Sequence, residues 1–262
     1  MARAQEAGHD VVVTENREAC GPFLVVCEHA SNRFPAAFGT LGLSPQARSA
    51  HIAWDPGALG VARRLAGLLD APLVAAGVSR LVYDLNRPPH SAGAMTARSE
   101  DYDIPGNLRL GADERLWRTE AIYLPFHAHL RAEIARRLAA GLPPVIVTVH
   151  SFTPVWFGTP RAVEFGVIHD ADPALALAVV AEAKARTRLD CRLNEPYSAA
   201  DEVTHTLRLQ ATPYGLANVM LEIRNDLIAT PEAEAAMAAT LAPVLEAALA
   251  AADAPQMKKA SH

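Results

Sequence analysis

The sequence predicts an α/β protein in three layers, with a mixed, mostly parallel central sheet and helices on both faces. Three observations carry that prediction. Short apolar runs alternate with stretches of helical periodicity along the chain, as expected where crossover helices cover a parallel sheet. Half of the 262 residues are hydrophobic, enough for a large core. Several apolar runs finish in charged or imidazole side chains, as in "VVCEHASN" over residues 25–32, and polar groups at strand ends meet at the carboxyl edge of such sheets.

The first buried strand is "FLVVCEH", residues 23–29, whose apolar run is continuous. Ser44 and Pro45 open a helix through an N-cap and an N1 proline. Residues 55–70 read as a helix with Arg63 and Arg64 on its wet side. "PLVAAGV" and "RLVYDLN" follow as strands, and residues 90–106 form a long loop rich in turn formers. Long loops in compact domains are often functional. Residues 112–141 are helical, with a kink or division at Pro125. "PVIVTVHS" and "EFGVIHD" are strands, residues 172–187 a helix, "NVMLEIR" the last buried strand, and residues 230–252 the closing helix. Without repeats or a long linker, the chain reads as one domain over residues 1–252 and a flexible tail over 253–262.

A net charge of -5 and a pI near 6.1, with scattered cations, predict no nucleic-acid or membrane partner. A small-molecule partner is expected, and the oligomeric state stays open. Cys20, Cys27 and Cys191 have no CxxC spacing and the opening "MARAQEAGHDVVV" has no signal-type apolar region, so a reduced, cytoplasmic, soluble protein is expected. No uncharged apolar stretch of transmembrane length is expected. The absence of GxSxG, GxxxxGK[ST] and GxGxxG motifs disfavours a serine hydrolase or a nucleotide-binding protein.

The ends "CEH", "DLN", "VHS" and "LEIRND" can converge at one sheet edge. Two histidines and a carboxylate are a common ligand set for a catalytic zinc with one open position. His29 and His150 are the natural imidazoles. Asp55, in "HIAWDPGA", is the favoured carboxylate, and Glu28 is the alternative, although it should point to the opposite strand face from His29. His127 and His129, at i and i+2 in a helix, make a poor chelate. His9 and His262 look incidental.

The ordered set "CEHASNRFP", "HIAWDPGA", "SRLVYDLNRPP", "HSFTPV", "RAVEFGVIHD", "EPYS" and "LEIRNDLI" resembles the N-formylglutamate amidohydrolase family, particularly its shorter bacterial members, over nearly the whole chain. "VHSFTP", "DLNR" and "LEIRND" are more distantly similar to zinc carboxypeptidases, which implies a phosphorylase/hydrolase-like fold. The HxxE ligand pair of those enzymes is absent, since Asn32 stands where the glutamate would be. The resemblance to longer family members, with an aspartate in the segment matching "AWDPG", implies Asp55 in its place. It further implies one Zn²⁺ per chain, or another divalent metal, held by His29, Asp55 and His150. Glu222 is then the general base and later the acid. Arg87, steadied by Asn86, clamps a substrate carboxylate. Arg80, Arg161 and His205 are further substrate-binding candidates.

The implied reaction is hydrolysis of N-formyl-L-glutamate to formate and L-glutamate. A metallo-carboxypeptidase or amidase on another acylated amino acid or peptide is the catalytic alternative. A non-catalytic protein binding an acidic metabolite is the other.

Overall fold

A computed structural model describes residues 11–260, with side chains through residue 252. Its frame is a sheet of β1 (Val12–Glu15), β2 (Phe23–Cys27), β3 (Leu73–Ala76), β4 (Val145–Phe152), β5 (Phe165–Ile168), β6 (Cys191–Leu193) and β7 (Asn218–Arg224). Their spatial order is β1-β3-β2-β4-β7-β5-β6. Neighbours pair in parallel except at β1–β3 and β7–β5, so the sheet is mixed and mostly parallel. The longer helices are α1 (Ala58–Leu68), α2 (Ala112–Arg118), α3 (Leu124–Ala139), α4 (Ala174–Arg186) and α5 (Pro231–Ala260).

Alternation along the strands divides the core into two layers. Val25, Cys27, Val147, Val149, Leu221 and Ile223 face α1, α4 and α5. Leu24, Val26, Ile146 and Met220 face the other side, with Ile122, Phe126 and Leu130 of the α2–α3 region. Each such fully buried aliphatic or aromatic side chain contributes about 1.5–3 kcal/mol of transfer free energy. The same alternation carries Thr148 and His150 along β4, and Glu222 along β7, onto the second side.

Several expectations change. "RLVYDLN" is a turn segment, because side chains capture its amides: Leu81 N–H donates to Ser79 Oγ at 3.2 Å and Asn86 N–H to Asp84 Oδ1 at 3.0 Å. Two short strands of this sheet were not read from the sequence: β1 lies antiparallel on the β3 edge and β6 lies beside β5. Nor were two small hairpins, Arg98–Ser99 with Tyr102–Asp103 inside the expected loop, and Val155–Trp156 with Thr159–Pro160. The helix over Pro231–Ala252, 22 residues with mean hydropathy 1.6, has membrane-spanning length, but Glu232, Glu234 and Glu246 interrupt it, so the expectation of no uncharged stretch of that length stands. Its Ala238, Leu241, Val244, Leu245 and Ala248 are core residues, and α5 packs on α1 and α4. The tail expected over residues 253–262, like His9 and His262, lies outside the residues whose side chains are described.

Ser44 does cap Pro45–Ser49, accepting the Ala47 N–H at 3.2 Å. The kink expected at Pro125 is preceded by a π-helical turn, Thr119–Tyr123, joining α2 to α3. Proline has no N–H for the helical ladder, and a one-residue widening absorbs the break.

Candidate metal centre

His29 follows the end of β2, His150 lies on β4 and Asp55 precedes α1. Gly57 lets Asp55 come close: its φ is +79°, and a Cβ there would stand 2.4 Å from the Ile228 carbonyl oxygen. Asp55 Oδ2 lies 3.2 Å from His29 Nδ1 and 3.0 Å from His150 Nδ1, and the two nitrogens are 3.2 Å apart. These three atoms form a nearly equilateral triangle. A tetrahedral zinc with bonds of about 2.0–2.1 Å has ligand–ligand edges of roughly 3.3 Å, so the triangle is close to a coordination face.

The outer ring nitrogens indicate which atoms carry protons. His29 Nε2 lies 2.8 Å from Asp84 Oδ1, and His150 Nε2 lies 3.1 Å from Glu28 Oε2, all four groups being buried. Carboxylates only accept, so a neutral imidazole keeps its N–H on Nε2 and turns a bare Nδ1 inward. Two nitrogen lone pairs and a carboxylate oxygen then face one another with no donor between them, an arrangement that a cation stabilises. Arg80 donates to Asp84 Oδ2 at 2.7 Å and Asp55 Oδ1 at 3.3 Å. With both imidazoles neutral, Glu28, Asp55, Asp84 and Arg80 leave two negative charges around the triad, which a divalent ion would balance.

The same pull acts on protons. Burial alone would raise the Asp55 carboxyl, but His29, His150 and Arg80 hold it well below the usual carboxylate range. Burial alone would lower the His150 imidazole, but Glu28 and Asp55 hold it well above its ordinary value.

The triad opens into a cavity of about 440 Å³. Glu222 lies on the wall, opposite His150 in the β4–β7 register. It is 4% exposed and its Oε2 has no hydrogen-bond partner among the described residues. Burial, with Asp55 adding to it, pushes its carboxyl up to about 7 against the opposing pull of His150. Gly166 of β5 pairs with Glu222, and a Cβ there would stand 2.0 Å from the Glu195 carbonyl oxygen and 3.1 Å from Glu222 Cβ. Gly166→Ala is therefore expected to lower stability by about 1–3 kcal/mol, measured by denaturant unfolding.

The remaining sequence candidates separate. Arg87 and Arg161 line the cavity without a carboxylate partner among the described residues. Arg87 donates to the Asp201 carbonyl, and Arg161 to Thr153 O at 3.4 Å and Tyr197 Oη at 3.2 Å. The Arg161 guanidinium lies over the rings of Trp156, Tyr197 and Phe152, at 4.7, 5.1 and 5.4 Å, where cation–π attraction holds it. Arg80 faces the cavity but is committed to Asp55 and Asp84.

Asn86 does not steady Arg87 through its side chain. Its amide donates to Val203 O and accepts from Thr206 N, pinning the 203–206 segment. His205 is not on the cavity wall. It meets the Tyr123 hydroxyl at 2.7 Å and packs against the Tyr123 and His127 rings, and burial lowers it to about 4. Glu28 is likewise displaced as a ligand: it continues the Leu24–Val26 alternation and meets the outer nitrogen of His150, away from the triad. Asp84 and Tyr197 escaped sequence reading, although "DLN" and "EPYS" carried both.

The loop over residues 90–106 contributes Gly93, Thr96, Arg98, Ser99 and Glu100 to the wall. Glu100 reaches His51 across the rim at 2.7 Å.

The family model described as N-formylglutamate amidohydrolase matches residues 21–229. Among solved structures, a gene product from Agrobacterium tumefaciens is 52% identical with a TM-score of 0.91, covering 94% of this chain and 97% of that one. N-formylglutamate amidohydrolase from Ralstonia eutropha JMP134 is 17% identical with a TM-score of 0.67, covering 95% of this chain and 99% of that one, a likeness of fold. No curated protein matches the sequence.

Proposed function

The chain belongs to the N-formylglutamate amidohydrolase family, and from that membership we propose that it is a metal-dependent hydrolase of N-formyl-L-glutamate, releasing formate and L-glutamate. One observation carries the metal dependence: three acceptor atoms of His29, Asp55 and His150 converge at 3.0–3.2 Å beside the buried Glu222 carboxylate.

His29 Nδ1, Asp55 Oδ2 and His150 Nδ1 would hold the cation. Zinc, when bound, supplies Lewis-acid polarisation of the acyl carbonyl and lowers the pKa of water to about 7. Glu222 takes a proton from the attacking water on a carboxylate oxygen and returns it to the amide nitrogen, so the C–N bond breaks with a neutral amine leaving. Its buried environment suits both halves of that exchange, because a carboxyl near 7 is both a usable base and a usable acid. Arg87 and Arg161, the cavity guanidiniums without carboxylate partners, receive the two carboxylates of the substrate; charge-assisted N–H···O bonds suit such groups. Arg161 donates to Tyr197 Oη, so the phenol O–H is free to donate into the cavity.

A cavity of about 440 Å³ falls in the range that encloses drug-sized ligands, which favours a larger acylated amino acid or dipeptide as the second reading. The test is metal analysis of the purified protein together with formate release from N-formyl-L-glutamate, N-formyl-L-glutamine and N-formyl-L-alanine. Near-stoichiometric zinc and a kcat/KM highest for the glutamate derivative are expected. Loss of one charge-assisted contact corresponds to about 10–100-fold for the glutamine derivative. Metal without formate release, but with cleavage of acyl-amino acids or dipeptides, moves the assignment to the second reading.

A further inference from the structure

We propose that Glu28 is a positioning residue for the cation: it fixes His150 in the tautomer with a bare Nδ1 and supplies buried negative charge that the cation balances. The inference rests on the metal-dependent reading above and concerns a side chain that does not touch the cavity.

Glu28 is 1% exposed. Among the described residues neither of its oxygens makes a well-aligned hydrogen bond; its ion-pair contact is to His150 Nε2 at 3.1 Å, and the neighbouring Thr206 hydroxyl also favours the ionised carboxylate. A carboxylate buried in this way is costly unless a positive charge lies close. Asp84, the corresponding group behind His29, is relieved differently. It accepts from Arg80 at 2.7 Å and from the Asn86 amide at 3.0 Å as well as from His29. Its charge is already compensated by a guanidinium. Among the described residues Glu28 has no guanidinium partner, so its charge is balanced chiefly through the imidazole ring by whatever His150 Nδ1 binds.

The carboxylate cannot donate, which places the His150 proton on Nε2 and aims the Nδ1 lone pair at the triad. Its uncompensated charge makes the ring a stronger donor to a cation. Both effects favour the loaded protein. Without a cation, a proton on His150 has to balance the same charge.

Two consequences follow for Glu28→Gln, which keeps the volume and removes the charge. Zinc affinity, measured by chelator competition, is expected to fall about 10–100-fold. The rise in melting temperature that saturating zinc gives is expected to shrink in the variant relative to wild type. A merely structural Glu28 would lower the metal-free melting temperature and leave the zinc affinity of the folded protein and the zinc-dependent rise unchanged. Thr148→Val, which alters a buried hydroxyl on the same strand as His150 without touching the charge, should leave zinc affinity unchanged.

The inference is overturned if Glu28→Gln binds zinc as wild type does, or if its affinity drops no more than that of Thr148→Val. A wild type that takes up no zinc overturns the metal reading and this inference with it; a zinc-binding wild type with an indifferent variant overturns this inference alone. Should Glu28→Gln fail to fold, ¹⁵N shifts of the His150 ring in zinc-loaded wild type decide. A protonated Nε2 with zinc on Nδ1 supports the role, and the reverse assignment ends it.

Discussion

Glu222→Gln is expected to lower kcat by roughly 10²–10⁴-fold, the usual worth of a positioned general acid–base, while zinc content stays at the wild-type level. The retained metal follows from geometry, since the triad atoms belong to His29, Asp55 and His150 and Glu222 stands beside them on the neighbouring strand. Glutamine fills the same space but cannot take a proton from water or return one to nitrogen. The wild-type rate should rise with pH as Glu222 ionises. Burial sets that carboxyl near 7, and a cation at the triad shifts the limb lower by favouring the ionised form. The variant should lose this limb.

Stability gives an independent check on the same substitution. A carboxyl whose folded pKa is raised above its unfolded value holds extra protons in the native state between the two values, so stability falls as pH rises through that window. The window here runs from the ordinary carboxyl range up to about 7. Metal-free Glu222→Gln should therefore melt higher than metal-free wild type above pH 7 while being nearly inactive when loaded. Full activity in the variant would mean that another group acts as the base and would remove Glu222 from the mechanism.

How much of this was visible in the sequence depends on the range of the interaction. His150 and Glu222 stood out because a parallel strand buried on both faces is almost wholly apolar, so a charged residue inside one is anomalous. The anomaly names the residue but not its neighbour, and the His150–Glu222 pairing exists only through the β4–β7 register. Asp55 was a weaker signal, since an aspartate before Pro-Gly is also ordinary turn chemistry; what singles it out is Gly57 lying against Ile228, over a hundred and seventy residues away. Asp84 was misread with its segment because the apolar run "RLVYDL" has strand composition, whereas Ser79 and Asp84 fold it into turns. The aromatic seat of Arg161 joins Phe152, Trp156 and Tyr197, and no local pattern links those positions. His205 shows the converse error: a polar-looking stretch, "THTL", is buried, with His205 and Thr206 both nearly inaccessible.

Asp55→Asn should abolish stoichiometric zinc binding under conditions in which wild type holds about one ion per chain, with hydrolysis lost in proportion. The substitution preserves shape, so its effect reports charge. Asp55 is the only carboxylate in the triad, and its Oδ2 is within 3.0–3.2 Å of both imidazole nitrogens. An amide there offers a neutral oxygen in place of an anionic one, and its NH₂ group, if turned inward, would donate to the very lone pairs that bind a cation. The two negative charges around the triad would also fall to one, leaving a divalent ion partly uncompensated in a buried site. Arg80 would keep Asp84 as its close partner at 2.7 Å, so the segment behind His29 should hold and the fold should survive. Metal analysis after dialysis against limiting zinc, with circular dichroism on the same sample, separates the cases. Folded protein without metal is the expected result. Folded protein with full zinc would mean that the carboxylate is not a ligand, and the coordination would then have to be sought among the other acids of the cavity, Glu222 first.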